Sequence, residues 1–351
     1  MKELQYKTFS RKTHSAGLLE RIPSSCQFEL TFGCGLRCRH CYSDCYNKPE
    51  FIRKELGTES VKLLLDKIRR QGVIWLCFTG GDPLTRKDFC EIYSYARKKG
   101  FLISVFTSGY SLNNRILELF KDQPPFVVEI TLNAADKKMY ERISQVRGSF
   151  LRAVNGIKAL TRAKIAVKIK TMVTKDNIGA VGRIKKFLAD NGYGFDPDYY
   201  LFARLNGDIA PCELRISPAQ VLAFAGKGKL NSKDPRIMPA RNLNKRLFWC
   251  ALGAGQEFHI DPYGNMFLCP VIRDSPVNIV KRPIAPAFKR MIAEVRDRVC
   301  SSAAKCASCE FRAWCLNCPG KAYSQTRDME SPVPYYCALT KQLIKDDKRP
   351  G

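Results

Sequence analysis

No run of about 18 apolar residues occurs anywhere in this chain, so no membrane-spanning helix is expected. Its first stretch, MKELQYKTFSRKTHSAGLLERIPSS, carries basic side chains but lacks the continuous apolar segment of a secretory signal. These two absences predict a cytoplasmic protein with no membrane partner. Thiols stay reduced in that compartment, which counts against a disulfide framework for the 16 cysteines. Acidic residues are scarce as well: 33 Asp and Glu stand against 59 Lys and Arg, a net charge of +26. Such a field suits an anionic partner, whether nucleic acid, an acidic peptide or a polycarboxylate. The charge is nevertheless spread as RKK, KIRR and RIKK over helical stretches, as solvated helix faces would be, so nucleic acid is not the expected partner. What remains, 45% hydrophobic and 11% aromatic over 351 residues, describes a folded chain of one large or two ordinary domains.

Strands and helices alternate from about residue 26 to 204. CQFELTF, VIWLCFTG, FLISVFTS, FVVEITLN, IAVKIKTMV and DYYLFAR read as strands, apolar on both faces as helix-covered parallel strands are. Between them Val61, Leu64, Leu65 and Ile68 recur at helical spacing behind Thr58 as an N-cap. Phe89, Ile92, Tyr93 and Ala96 repeat it before a stop at Gly100. Six βα units predict an α/β fold with a parallel sheet, curved or closed, and a site at the strands' C-terminal ends. After residue 205 the rhythm fails. SPAQVLAFAG forms one short helix capped by Ser217, a polar connector follows, and the remainder is rich in cysteine and loops, with DPYGN as a turn between short strands. The expected organisation is an N-terminal extension (1–24), a barrel (25–205), a connector (206–248) and a cysteine-rich domain (249–351).

Cys34, Cys38 and Cys41 stand at C-x3-C-x2-C directly after the first strand. Three close thiolates hold three irons of a [4Fe–4S] cube and leave the fourth iron open. Zinc remains an alternative on spacing alone, with Cys45 or His40 as its fourth ligand. The order strand, triad, then FTGGDPL at the end of the second strand resembles the radical S-adenosylmethionine (SAM) superfamily. That resemblance implies a partial (βα)6 TIM-like barrel whose triad-bound cluster chelates SAM through the open iron. His40 occupies the usually aromatic position before the third cysteine. Gly80, Gly81, Asp82 and Pro83 match the GGEP-type stretch that meets the SAM ammonium; Asp82 keeps the carboxylate one methylene shorter. Ser108 in FTSG and Asn133 in TLNA end the third and fourth strands, where relatives place polar groups near SAM, Asn133 toward the ribose; capping the following helices is the competing role.

Farther on, Cys250 and Cys269 bracket Gly264 at C-x13-G-x4-C, and Cys306, Cys309, Cys315, Cys318 and Cys337 follow. This resembles the SPASM extension of peptide- and cofactor-modifying radical SAM enzymes, which binds one or two auxiliary iron–sulfur clusters; paired zinc knuckles are the alternative. Two residues rather than three separate Cys315 from Cys318. By motif position Cys306, Cys309, Cys315 and Cys337 complete one auxiliary cluster. Cys250, Cys269 and Cys318 give the other three thiolates, its fourth site open or filled by Cys300 or Cys212. The resemblance implies reductive cleavage of SAM to a 5′-deoxyadenosyl radical, fed by a donor such as flavodoxin or ferredoxin. A ribosomally made peptide or protein is the leading substrate, although MKELQYKTFS leaves few residues for a separate leader-binding domain. A tetrapyrrole or similar polycarboxylate, sulfatase maturation and RNA modification are further readings. A non-catalytic electron carrier stands outside the enzyme class.

Overall fold

The computed structural model describes residues 5–6, 8–10, 12–13, 22–225, 247–248, 256–296, 298–312 and 315–347. Its framework is a run of parallel strands separated by helices. β1 (Ser25–Thr31) is followed by α1 (Thr58–Arg70), β2 (Trp75–Gly80), α2 (Phe89–Lys98), β3 (Leu102–Thr107), α3 (Asn114–Asp122) and β4 (Val127–Thr131). Then come α4 (Lys137–Ser144), α5 (Ser149–Arg162), β5 (Val167–Met172), α6 (Val181–Asp190) and β6 (Asp196–Asp198). Neighbouring strands pair in parallel through β6. The sheet does not end at β1: β7 (Glu257–Ile260) pairs with it in parallel, and β8 (Asn265–Phe267) and β9 (Val277–Asn278) continue antiparallel. The strand order is therefore β6-β5-β4-β3-β2-β1-β7-β8-β9.

The alternation of burial explains the helix cover. Phe28, Leu30, Leu76, Phe78, Ile103, Val105, Val128 and Ile130 point outward and are fully buried. They pack in one cluster with Val61, Leu64, Leu65 and Ile68 of α1 and Phe89, Ile92 and Tyr93 of α2. Burying such side chains, at about 1.5–3 kcal/mol each, is what holds helices to sheet. The inner face differs from the expectation of apolarity on both sides. Gln27, Glu29, Cys77, Thr79, Ser104, Glu129, Thr131 and Lys170 alternate with that set, and Lys170 pairs with Glu129 across β4 and β5. An inner face that lines a cavity instead of packing against helices has no need to be oily.

Three local expectations are corrected. Gly57, not Thr58, is the N-cap of α1, and the Thr58 hydroxyl instead donates to Asp88 Oδ2 at 2.7 Å. The sixth strand is three residues, Asp196–Asp198, and most of DYYLFAR runs on as irregular chain with Tyr199, Leu201 and Ala203 buried. As an edge strand beside β5 alone it lacks a second partner to extend it. Gly100, by contrast, takes φ +81° just past α2, and the 261–265 turn joins β7 to β8 with Gly264 at φ +79°.

After β6 come α7 (Pro218–Ala225), α8 (Ile284–Arg296), α9 (Pro319–Thr326) and α10 (Pro334–Asp347). The Ser217 hydroxyl accepts from Gln220 N at 3.3 Å, as its capping role requires. A second buried cluster joins Val173, Val181 and Tyr199 at the barrel rim to Val221, Leu316, Ala322, Tyr336 and Leu339. That cluster fastens the cysteine-rich helices over the C-terminal ends of the strands. Among the described residues no helix is long and apolar enough to cross a membrane.

Candidate active site

The loop after β1 is held in shape by a buried side-chain amide and by backbone hydrogen bonds. Asn47, buried, accepts from Cys34 N at 3.1 Å and donates to the carbonyls of Cys34 and Leu36 at 3.1 and 3.3 Å. Cys41 N closes a turn on Cys38 O at 2.9 Å. The far side is tied to α4: Arg37 N and Arg39 N bond the carbonyls of Ser144 and Ile143. Gly35 lies where a Cβ would come within 2.5 Å of the Tyr110 ring.

The 80–83 stretch is laid against this loop. Gly81 N bonds Thr31 O at 2.7 Å and Asp82 N bonds Gly33 O at 2.8 Å. A Cβ on Gly80 would stand 2.1 Å from Thr31 O, and one on Gly81 2.4 Å from Phe32 O, so only glycine allows the approach. Gly80 also has φ +133°. Together these segments border a cavity of about 360 Å³ whose wall includes Cys34, Cys38, Cys41, His40, Gly80, Gly81, Ser108 and Asn133. Asp82 and Pro83 stand behind that wall. The Asp82 carboxylate is buried and accepts from Ser108 Oγ (2.6 Å), Ser108 N (3.1 Å), Thr107 Oγ1 (2.8 Å) and Leu84 N (3.1 Å). Burial pushes its pKa up while those donors oppose the shift.

Asn133 is oriented by its neighbours. Its Oδ1 accepts from Met172 N at 2.9 Å, and its carbonyl accepts from Asn177 Nδ2 at 2.9 Å. Its Nδ2 therefore faces His40 Nε2, 3.5 Å away. Burial lowers the His40 pKa to about 4, against the pull of Asp176, so the ring is neutral near pH 7. With Nε2 facing a donor, the ring proton is assigned to Nδ1.

The donor set fits an iron–sulfur cube. Burial raises the thiols of Cys34, Cys38 and Cys41, Cys38 up to about 12. Among the described residues no three His, Cys, Asp or Glu converge as tightly as one ion requires. The thiols instead stand around a cavity with room for a larger body and its ligand.

The C-terminal cysteines form a second field. Burial first, then charge on Cys315, Cys337, Cys300 and Cys309, pushes Cys306 up to about 11, so these five share one neighbourhood. Cys269 and Cys318 flank Gly320, their sulfurs 3.2 and 3.8 Å from where a Cβ there would sit. Cys250 lies outside the described residues. Cys300 borders a small cavity of about 40 Å³ with Cys306, Cys315 and Cys318, whereas Cys212 lies beside Arg215. Sequence reasoning missed Asn47; a buried amide serving three backbone groups leaves no motif.

A parallel βα framework with three thiols and a glycine pair at its mouth is suited to hold a cluster and an organic ligand together, and the comparisons say which class of protein carries such a site. Residues 28–188 match the Radical SAM superfamily, so the barrel portion of this chain carries a radical SAM domain, and relatives named as synthases and maturases make it an enzyme. The cofactors of that domain are SAM and a [4Fe–4S] cluster. An AdoMet-dependent heme synthase of Methanosarcina barkeri (strain Fusaro / DSM 804) is 25% identical over 350 residues, covering 90% of this chain and 97% of that protein. Mycofactocin maturase MftC of Mycobacterium ulcerans (strain Agy99) is 29% identical over 335 residues, 89% of this chain and 87% of that protein. Among solved structures, Streptococcus suis SuiB bound to its precursor peptide SuiA has a similar fold, with TM-score 0.69 at 13% identity over 97% of this chain and 82% of that one.

Proposed function

We propose that the enzyme modifies a side chain or Cα of a ribosomally made peptide or protein. The observation that carries this reading is the cavity wall. It presents Phe32, Tyr42, Phe106, Tyr140, Tyr200 and Phe202, with Asp44 and Asp198, and among the described residues no Lys or Arg. The nearest cations stand over the ring faces of that wall, Lys170 4.4 Å from the centre of Phe106 and Lys321 3.6 Å from that of Tyr200. A polycarboxylate ring therefore meets no Lys or Arg among the lining side chains themselves. A peptide side chain meets aromatic surface and acceptors.

In this reading Cys34, Cys38 and Cys41 hold the SAM-binding cluster. Cys306, Cys309, Cys315 and Cys337 hold one auxiliary cluster, and Cys269 and Cys318 contribute with Cys250 to another. When bound, the SAM-binding cluster supplies the electron that turns SAM into a hydrogen-abstracting oxidant. The protein's own part is placement. Gly80 and Gly81 let backbone reach the ligand, Asp82 fixes Ser108 from behind, and Met172 and Asn177 hold Asn133 in one orientation. Neutral His40 brings no charge to the ligand. The aromatic wall keeps water from a reactive centre. A low-potential donor such as flavodoxin or ferredoxin is the partner this chemistry needs.

The second reading, a tetrapyrrole substrate, is supported by the heme synthase relative that matches over nearly its whole length. Anaerobic incubation with SAM and reductant separates the two. Short peptides encoded beside the gene are offered in one arm and an iron tetrapyrrole carboxylate in the other. We expect 5′-deoxyadenosine and a mass change on the peptide; turnover with the tetrapyrrole alone overturns the peptide reading.

A further inference from the structure

Between the large cavity and the C-terminal cysteines lies a cation that the chemistry above does not use. Lys321 sits one turn into α9, whose N-cap is Cys318 and whose first residue is Pro319. Its ammonium donates to Leu316 O at 2.8 Å, and its nitrogen lies 3.6 Å from the centre of the Tyr200 ring and 4.5 Å from that of Tyr336. Tyr200 is itself part of the cavity wall. Among the described residues no carboxylate pairs with Lys321 within ion-pair distance. The charges that reach it are Cys318, Asp198 and Cys315, which favour the ammonium, and Arg215, which opposes it.

One hydrogen bond and two ring faces are thin compensation for an ammonium held partly out of water between two rings. Cation–π contacts return less than an ion loses on leaving water. A net negative body at Cys318 would offset the difference. The positive end of α9 points the same way, since its unpaired N–H groups lie at the Cys318 end.

We propose that Lys321 is the counter-cation of the iron–sulfur cluster ligated by Cys318, and that it raises that cluster's reduction potential on the side facing the SAM cavity. This rests on the reading that Cys318 is a cluster ligand. A fixed positive charge in a low-dielectric setting favours the more negative, reduced cluster, because net charge and surroundings set such potentials. Tyr200 then forms the layer between substrate and cluster, and Lys321 makes that cluster the better electron acceptor.

The test is a potentiometric titration followed by electron paramagnetic resonance on full-length, reconstituted protein. A Cys38→Ala background silences the N-terminal cluster. In Lys321→Met the reduced-to-oxidised ratio of one auxiliary signal at fixed ambient potential should fall at least tenfold, about 59 mV for a one-electron couple. Lys321→Arg, which keeps the charge, should titrate with the parent, as should Tyr200→Leu, which removes only the ring contact. A Lys321→Met titration that overlays the parent overturns the inference, and so does an equal shift in Tyr200→Leu. If Lys321→Met fails to load, Lys321→Gln is read by the same criterion. Cys318→Ala separates the two levels: retention of every auxiliary signal refutes the ligand reading. Loss of one signal with no shift in Lys321→Met refutes only the role of the lysine.

Discussion

The two cysteine fields are built differently. The N-terminal trio sits on a loop locked by Asn47, by α4 and by the 80–83 stretch, and it opens on a cavity of about 360 Å³. The C-terminal set gathers on loops and helix ends, with Cys309 exposed, around about 40 Å³ of space. A site that must admit an organic ligand needs volume and a fixed rim. One that holds only an inorganic core can close upon itself. The contrast is what the proposed reading, SAM at the first field and electron handling at the second, calls for.

That division breaks most visibly under Cys38→Ala. This variant should abolish 5′-deoxyadenosine formation and lose one cube's iron while keeping the auxiliary absorption. Loss of both in iron and sulfide analysis would show that the fields do not load independently. Cys309→Ala should do the converse, losing auxiliary iron while binding SAM like the wild type by equilibrium dialysis.

Gly81→Ala tests the rim. Its Cβ meets the Phe32 and Gly33 carbonyls at 2.4 and 2.5 Å, so backbone must move. We expect about 1–3 kcal/mol of destabilisation in urea unfolding and weaker SAM binding. Asn47→Ala strips partners from Cys34 N and two carbonyls, and about 1–3 kcal/mol should follow. No equivalent single polar substitution near Cys306 should cost as much.

The smallest effect is one of pH. His259 on β7 has its pKa lowered to about 3 by burial first and Arg273 second. In the unfolded chain it takes up a proton near pH 6.5, but in the folded chain only near 3. Its stabilising share is therefore complete above 6.5 and is lost as pH falls from there toward 3. His259→Gln should flatten the decline of melting temperature on that acid limb; an unchanged slope would remove His259 from the account.

Much of the barrel was legible because its code is local. Period-two and helical spacings mark each strand and helix, and the triad and GGDP lie within a few residues of strand ends. DPYGN announced its hairpin for the same reason. The short sixth strand escaped because DYYLFAR alternates as a strand does, although its buried residues pack on the rim without pairing. Asp82 escaped too: a carboxylate in a ligand motif carries no mark that it will turn to Thr107 and Ser108.

Sequence alone determined the chemistry available: which thiols lie together, where glycine permits close approach, and where helices cover strands, since each depends on neighbours a few bonds away. Only tertiary structure decided that β7 rejoins β1 to extend the sheet, that the cavity wall bears aromatics without a cation, and that Lys321 stands against Tyr200. Those outcomes depend on residues distant in the chain meeting in space. Burial and charge then act through distance, which sequence spacing does not record.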